Sequence, residues 1–298
     1  MSAGYGQNSL SAPAPAARED WTSLPVAGSG LRIKDVVIGQ HDEYPTFARE
    51  MIQVTWRAGD PIYLFLVLPK NQPKPPVILY LYSFPSDTDR FMNEAYCALL
   101  AKDGFAAVGF LSALTGHRYH DRPMKEWFIS ELREALGASV HDVQMVLNYL
   151  ALRNDVDVNR AGMFGEGSGA AIGILTSAVE PRIKALDLTD TWGDWPDWMA
   201  KSSMVPEEER PAYVKPEFLK RVAPLDPVEW FGKVKAPVRL QYLNEPEVTP
   251  LAARERITAA APSQAKIVPH QDALAQFQAD KLKYFDWIKE QLKRLPAQ

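Results

Sequence analysis

The sequence predicts a three-layer α/β protein with a mostly parallel central sheet and antiparallel strands at its N-terminal edge. Three observations lead there. Val77-Ile-Leu-Tyr-Leu81 is an unbroken apolar run, as a strand requires when helices cover both faces of its sheet. From there to the C-terminus, strand-like and helix-like stretches alternate. Before residue 70, strand-like stretches instead follow one another directly, separated by turn residues such as Ala58-Gly-Asp-Pro61.

Taken in order, residues 1–20 are rich in Gly, Ser, Ala and Pro and predict a flexible leader, with 21–298 forming one domain. Ile33, Val36 and Ile38, then Met51–Trp56, then Ile62–Leu68 predict the edge strands, and Pro73-Lys-Pro-Pro76 ends them. After the strand at Val77–Leu81, a helix is expected from about Asp89 to Lys102, a strand from Phe105 to Leu111 and a long amphipathic helix from about Lys125 to Arg153. Strands follow at Ala161–Phe164, Ile183–Leu188, Pro237–Leu243 and Ala265–Val268, with a helix at Leu251–Ala260. One last helix carries Leu274, Phe277, Phe285, Ile288 and Leu292 on a single stripe. The Trp-rich insertion at about 192–222 has the length of a small helical lid over the sheet's carboxyl edge.

Composition narrows the function. The 298 residues are 46% hydrophobic and 23% charged, enough to bury a large core. A net charge of -4 and a pI near 5.8 exclude the basic footprint of a nucleic-acid binder. No apolar run approaches the roughly 20 residues that span a bilayer. The N-terminus lacks a basic-then-apolar signal pattern, which fits a cytoplasmic protein or an exported one whose signal has been removed. Cys97 is the sole cysteine, so no internal disulfide can form, and its apolar neighbours predict a packed core thiol. No cofactor or metal is called for.

The stretch with the most chemistry in it is Gly165-Glu-Gly-Ser-Gly169. Between a short strand and a helix, Gly-x-Ser-x-Gly forms a nucleophile elbow that lifts a serine hydroxyl above the sheet. Here the middle position is Gly167. Ser168 falls one place late, where it is expected to cap the following helix and offer its backbone N–H to an oxyanion.

Three stretches resemble the α/β-hydrolase fold, nearest its dienelactone hydrolase and prolyl oligopeptidase-like branches. They are Pro76–Phe84, similar to the strand that ends at the oxyanion loop; Val156–Ala170, similar to the approach to the elbow; and Pro224-Leu-Asp-Pro227 followed by Val234–Leu240, similar to the segment before the catalytic acid. The resemblance implies a serine, an acid and a histidine in that chain order. Gly167 leaves the nucleophile position vacant. The acid loop offers Glu245 or Glu247, with Asp190 as a second carboxylate after the preceding strand. At the histidine position the match is Asp272, with His270 two residues early. Tyr82 and Ser83 replace the family's His-Gly at the oxyanion loop, and the Tyr82 hydroxyl is a candidate donor.

Two further clusters lie where ligands bind in such sheets. His117 and His120 belong to a loop after a parallel strand, as pocket groups or as a polar network. Trp192 and Trp195 follow Asp190 and form either a pocket wall or a packed lid. The leading expectation is a hydrolase-fold protein without the serine-hydrolase reaction, keeping a cleft for a small ester, acyl or carbohydrate-like ligand. One alternative is an active esterase or peptidase-like hydrolase with a shifted triad of Ser168, His270 and Glu245 or Glu247. Another is a protein-interaction role through the lid.

Overall fold

The structure, a computed structural model, describes residues 19–84, 88–114, 128–244 and 246–296. Nine strands make one sheet in the order β1-β2-β3-β5-β4-β6-β7-β8-β9. The edge strands β1 (Asp35–Glu43), β2 (Phe47–Arg57) and β3 (Asp60–Pro69) are antiparallel, and β3 also runs antiparallel to β5 (Ala106–Phe110). The rest is parallel: β4 (Pro76–Leu81), β6 (Asp157–Glu166), β7 (Ile183–Thr189), β8 (Val238–Gln241) and β9 (Lys266–Val268). Every residue of β4 and β5 is buried, as the apolar run at Val77–Leu81 requires of a strand covered on both faces.

Each sheet face has its own core. On one, α1 (Glu94–Ala101) packs with the C-terminal helix α10 (Asp286–Lys293) around Phe91, Cys97, Phe164, Phe285 and Ile288. On the other lie α2 (Leu132–Ala151), α3 (Ser168–Ser177) and the three tryptophans of the insertion. Cys97 is fully buried, with its Sγ directed at the Phe91 carbonyl oxygen.

Several boundaries differ from the sequence expectation, for local reasons. The helix expected over Asp89–Lys102 is a 3₁₀ turn at Asp89–Met92 and then α1, because Asn93 is extended and its side chain accepts from the Tyr96 N–H as an N-cap. The helix expected from about Lys125 begins at Leu132, after a 3₁₀ turn at Phe128–Glu131. The single last helix is two, α9 (His270–Ala279) and α10, separated by a turn that Asp280 closes onto the Leu282 N–H. Glu19, placed in the leader by composition, is already part of the fold: it pairs with Arg57 at 2.7 Å and meets the buried His141 at 2.7 Å.

The insertion folds as α4 (Trp195–Lys201), α5 (Arg210–Tyr213) and α6 (Pro216–Val222), and leads into α7 (Pro227–Phe231). Asp226 holds it. Its carboxylate accepts from the Asp194, Trp195 and Val228 N–H groups, so it caps α7 and fixes the start of α4 together. Helix α8 (Leu251–Ala260) lies between β8 and β9.

Candidate functional site

The strand order reverses between β4 and β6, and in parallel sheets the crevice at such a point is where ligands bind. The register pairs Leu81 with Gly165, so Tyr82–Phe84 leaves β4 directly beside Glu166–Ser168. Gly167 joins β6 to α3 at φ 55°, ψ -113°, a left-handed conformation that disfavours any residue with a Cβ. Its N–H donates to the Thr189 carbonyl, and its own carbonyl accepts from the Trp192 N–H. The flanking positions are glycine because the turn is tight: a Cβ at Gly169 would lie 2.2 Å from the Leu81 carbonyl oxygen.

At the tip itself, a Cβ on Gly167 would lie 2.1 Å from Ser83 Oγ and 3.0 Å from Trp192 Nε1. The Ser83 side chain therefore fills the space that an elbow side chain would take. Ser83 Oγ also accepts from the Ser168 N–H at 3.4 Å and donates toward the Phe84 carbonyl at 3.3 Å. Ser168 departs from expectation. It is the first residue of α3 and makes no side-chain cap; its fully buried hydroxyl accepts from the Phe84 N–H at 2.9 Å and ties the loop after β4 to the elbow.

The other candidates are spread along the carboxyl edge. Tyr82 is buried, with its hydroxyl bonded to that of Tyr96 and the Arg90 guanidinium 4.0 Å above its ring; burial pushes its phenol well up. Asp190, at φ 51°, accepts from the Leu243 and Asn244 N–H groups and from Asn244 Nδ2. Burial raises its pKa, and those backbone donors partly offset the rise. His270 opens α9, and its Nδ1 donates to the Tyr242 carbonyl at 3.0 Å, so the nitrogen that a triad histidine gives to its acid is spent on backbone. Asp272 is exposed in the first turn of α9, where its charge favours the helix dipole. Glu247 is exposed. Glu245, His117 and His120 lie outside the described residues.

The two tryptophans separate. Trp192 lies over the elbow, whereas Trp195 is buried against α7, donates its Nε1–H to the Leu225 carbonyl and lines a different groove with Thr22 and Trp230. Both are buried in the same hydrophobic core, and neither lines the cavity beside Glu166.

Two charged groups escaped the sequence reading. Glu166 and Arg90 face one cavity of about 420 Å3 at the carboxyl edge, together with Asp190, Asn244 and Lys281. Burial, with a smaller push from Asp190, holds the Glu166 carboxyl above its ordinary pKa even though Arg90 opposes the shift. Glu166 occupies the variable position before the elbow tip, so its only sequence signal was its place at the end of a parallel strand.

No protein-family profile and no curated protein sequence matches this chain. Solved structures do match. Acetyl xylan esterase 1 from a Thermoanaerobacterium species superposes with a TM-score of 0.63 at 15% identity, over 86% of this chain and 88% of that one. The chain has the α/β-hydrolase fold. An acetyl xylan esterase from a Paenibacillus species gives a TM-score of 0.66 at 14% identity over 87% and 89% of the two chains. Pyrococcus horikoshii acylaminoacyl peptidase gives 0.64 at 15% over 86% of this chain and 43% of the longer one. The antiparallel edge strands, the parallel core and the strand-turn-helix at Gly167 thus belong to an α/β-hydrolase architecture. Among the described residues, no helix is long and apolar enough to cross a membrane.

Proposed function

We propose that this chain is an α/β-hydrolase-fold protein that has given up the serine-hydrolase reaction and keeps the cleft for binding. The observation that carries this reading is the bare elbow tip: Gly167 holds the strained backbone of a nucleophile, and Ser83 fills the space of the missing side chain. Two further features support it. The Ser168 hydroxyl is buried and engaged with the Phe84 N–H, and His270 is committed to a backbone carbonyl. A nucleophilic serine needs a base within hydrogen-bond reach and a carboxylate to orient that base. Neither Ser168 nor His270 has the other among its hydrogen-bond partners.

The neighbours' names describe esterases and a peptidase, which makes small esters, acyl groups and acetylated sugars the first ligands to screen. The direct test is incubation of the native protein with a fluorophosphonate probe and with p-nitrophenyl acetate. The expected result is no covalent adduct and no turnover above the buffer rate. Mass-spectrometric labelling of Ser83 or Ser168, removed by the matching alanine variant, overturns the proposal.

A further inference from the structure

The cavity beside the elbow is chemically specific. Its volume of about 420 Å3 lies within the roughly 300–1,000 Å3 typical of small-molecule sites. Phe164, Phe277, Tyr284 and Phe285 supply aromatic walls, with ring centroids 5.1 Å apart for Phe164–Phe285 and for Phe277–Tyr284. Both signs of charge are present. Arg90 lies over the Tyr82 ring, and Lys281 lies 5.3 Å from the Phe277 centroid.

The charged groups are poorly matched to one another. Arg90 and Glu166 approach only to 4.0 Å, beyond hydrogen-bond distance, and this is the one ion pair either makes among the described residues. Lys281 has no carboxylate partner among the described residues. Asp190 differs, because three N–H donors hold its carboxylate, two on Oδ1 and one on Oδ2. Among the described residues, the cavity therefore sets one incompletely paired carboxylate, Glu166, against two cations across an aromatic floor.

A ligand carrying only an anion would satisfy Arg90 and Lys281 but press against Glu166. One carrying only a cation would satisfy Glu166 and meet Arg90 and Lys281. A zwitterion complements both, since charge-assisted hydrogen bonds form at each end and the rings take its apolar part. We infer that this cavity binds a small zwitterion with an aromatic or bulky apolar side chain, of the α-amino acid class. Its ammonium meets Glu166, its carboxylate meets Arg90 with Lys281 nearby, and its side chain packs against Phe277 and Tyr284. The raised pKa of Glu166 fits this arrangement, because a half-buried carboxyl with its one cation at 4.0 Å is what an ammonium group relieves.

The inference rests on the proposal that the cleft serves binding. Isothermal titration calorimetry of the native full-length chain at pH 7 with three probes tests it: L-phenylalanine, 3-phenylpropionate, which lacks the ammonium, and 2-phenylethylammonium, which lacks the carboxylate. L-Phenylalanine is expected to bind at least about tenfold more tightly than either half-probe. Glu166→Gln should erase its advantage over phenylpropionate, and Arg90→Gln its advantage over phenylethylammonium. The half-probe comparison uses only native protein, so it stands even if a variant misfolds. Absence of phenylalanine binding at millimolar concentration, or a half-probe binding as tightly, overturns the inference. Ester turnover by the native chain would instead sink the loss of hydrolysis and leave these affinities unchanged, so the two failures are distinguishable.

Discussion

Replacing Gly167 with serine restores a hydroxyl to the elbow tip, and the structure sets what that costs. The new Cβ would lie 2.1 Å from Ser83 Oγ and 2.6 Å from Ser83 Cβ, where carbon contacts prefer about 3.5–4.0 Å. Rotating the Ser83 hydroxyl relieves the first contact but not the second, so the loop must move. Overpacking of this kind costs about 1–3 kcal/mol. A side chain at φ 55° adds roughly 1–2 kcal/mol of backbone strain. Gly167→Ser should therefore lose about 2–5 kcal/mol in urea unfolding, read as a lower midpoint at unchanged slope. Ser83→Gly opens the space and should recover the overpacking part while leaving the strain. A double-mutant cycle then shows a favourable coupling of at least about 1 kcal/mol. A Gly167→Ser protein within about 0.5 kcal/mol of native, or additive effects in the double variant, would refute the claim that Ser83 occupies the elbow side chain's space. The same geometry bears on any attempt to rebuild an esterase here: serine at residue 167 needs Ser83→Gly beside it, and Asp272→His would place the imidazole on the exposed first turn of α9.

Three stability predictions follow from other parts of the fold. Glu19 is pushed up by burial but pulled down further by its hydrogen bonds to Arg57 and His141, to about 2 from 4.5. A depressed carboxylate adds stability that is complete above the unfolded pKa and disappears as pH falls through the folded one, here between about 4.5 and 2. Glu19→Gln should cost about 1–2 kcal/mol at pH 7 after discounting for solvent screening, and that gap should shrink by more than half at pH 3; a gap independent of pH counts against the assignment. Asp226→Ala strips the acceptor from three N–H groups and should cost about 2–3 kcal/mol in urea unfolding, while Asp226→Asn, which keeps one amide oxygen, should cost less. Arg239 holds Asp187 through two bonds of 2.8 and 2.7 Å in the sheet interior, so Arg239→Met should lose about 3–5 kcal/mol by stranding a buried carboxylate. The double change Arg239→Met with Asp187→Leu should restore most of that loss in the same assay.

How far these features were legible in the sequence depended on the range of the interaction behind them. Val77–Leu81 announced a doubly covered strand because burial on both faces demands an apolar side chain at every position. The glycines of 165–169 announced the elbow because backbone crowding there excludes a Cβ, a constraint written residue by residue. Gly167 at its tip was visible for the same reason. Helix ends were less legible: Asn93 and Asp280 each form a cap that competes with a continuous apolar stripe, and the cap prevailed. Ser168 was misplaced as a helix cap because its partner, the Phe84 N–H, lies 84 residues away.

By itself, then, the sequence determined the three-layer fold and the place of the tight glycine turn between β6 and α3, because those follow from hydrophobic period and from glycine's missing Cβ. Only the tertiary structure decided what surrounds that place. Leu81 and Gly165 are paired by sheet register, which brings Ser83 into the space over Gly167 and sets Glu166, from the variable position of the motif, across from Arg90. Neither meeting leaves a local pattern, since each joins residues more than 70 positions apart through a parallel crossover.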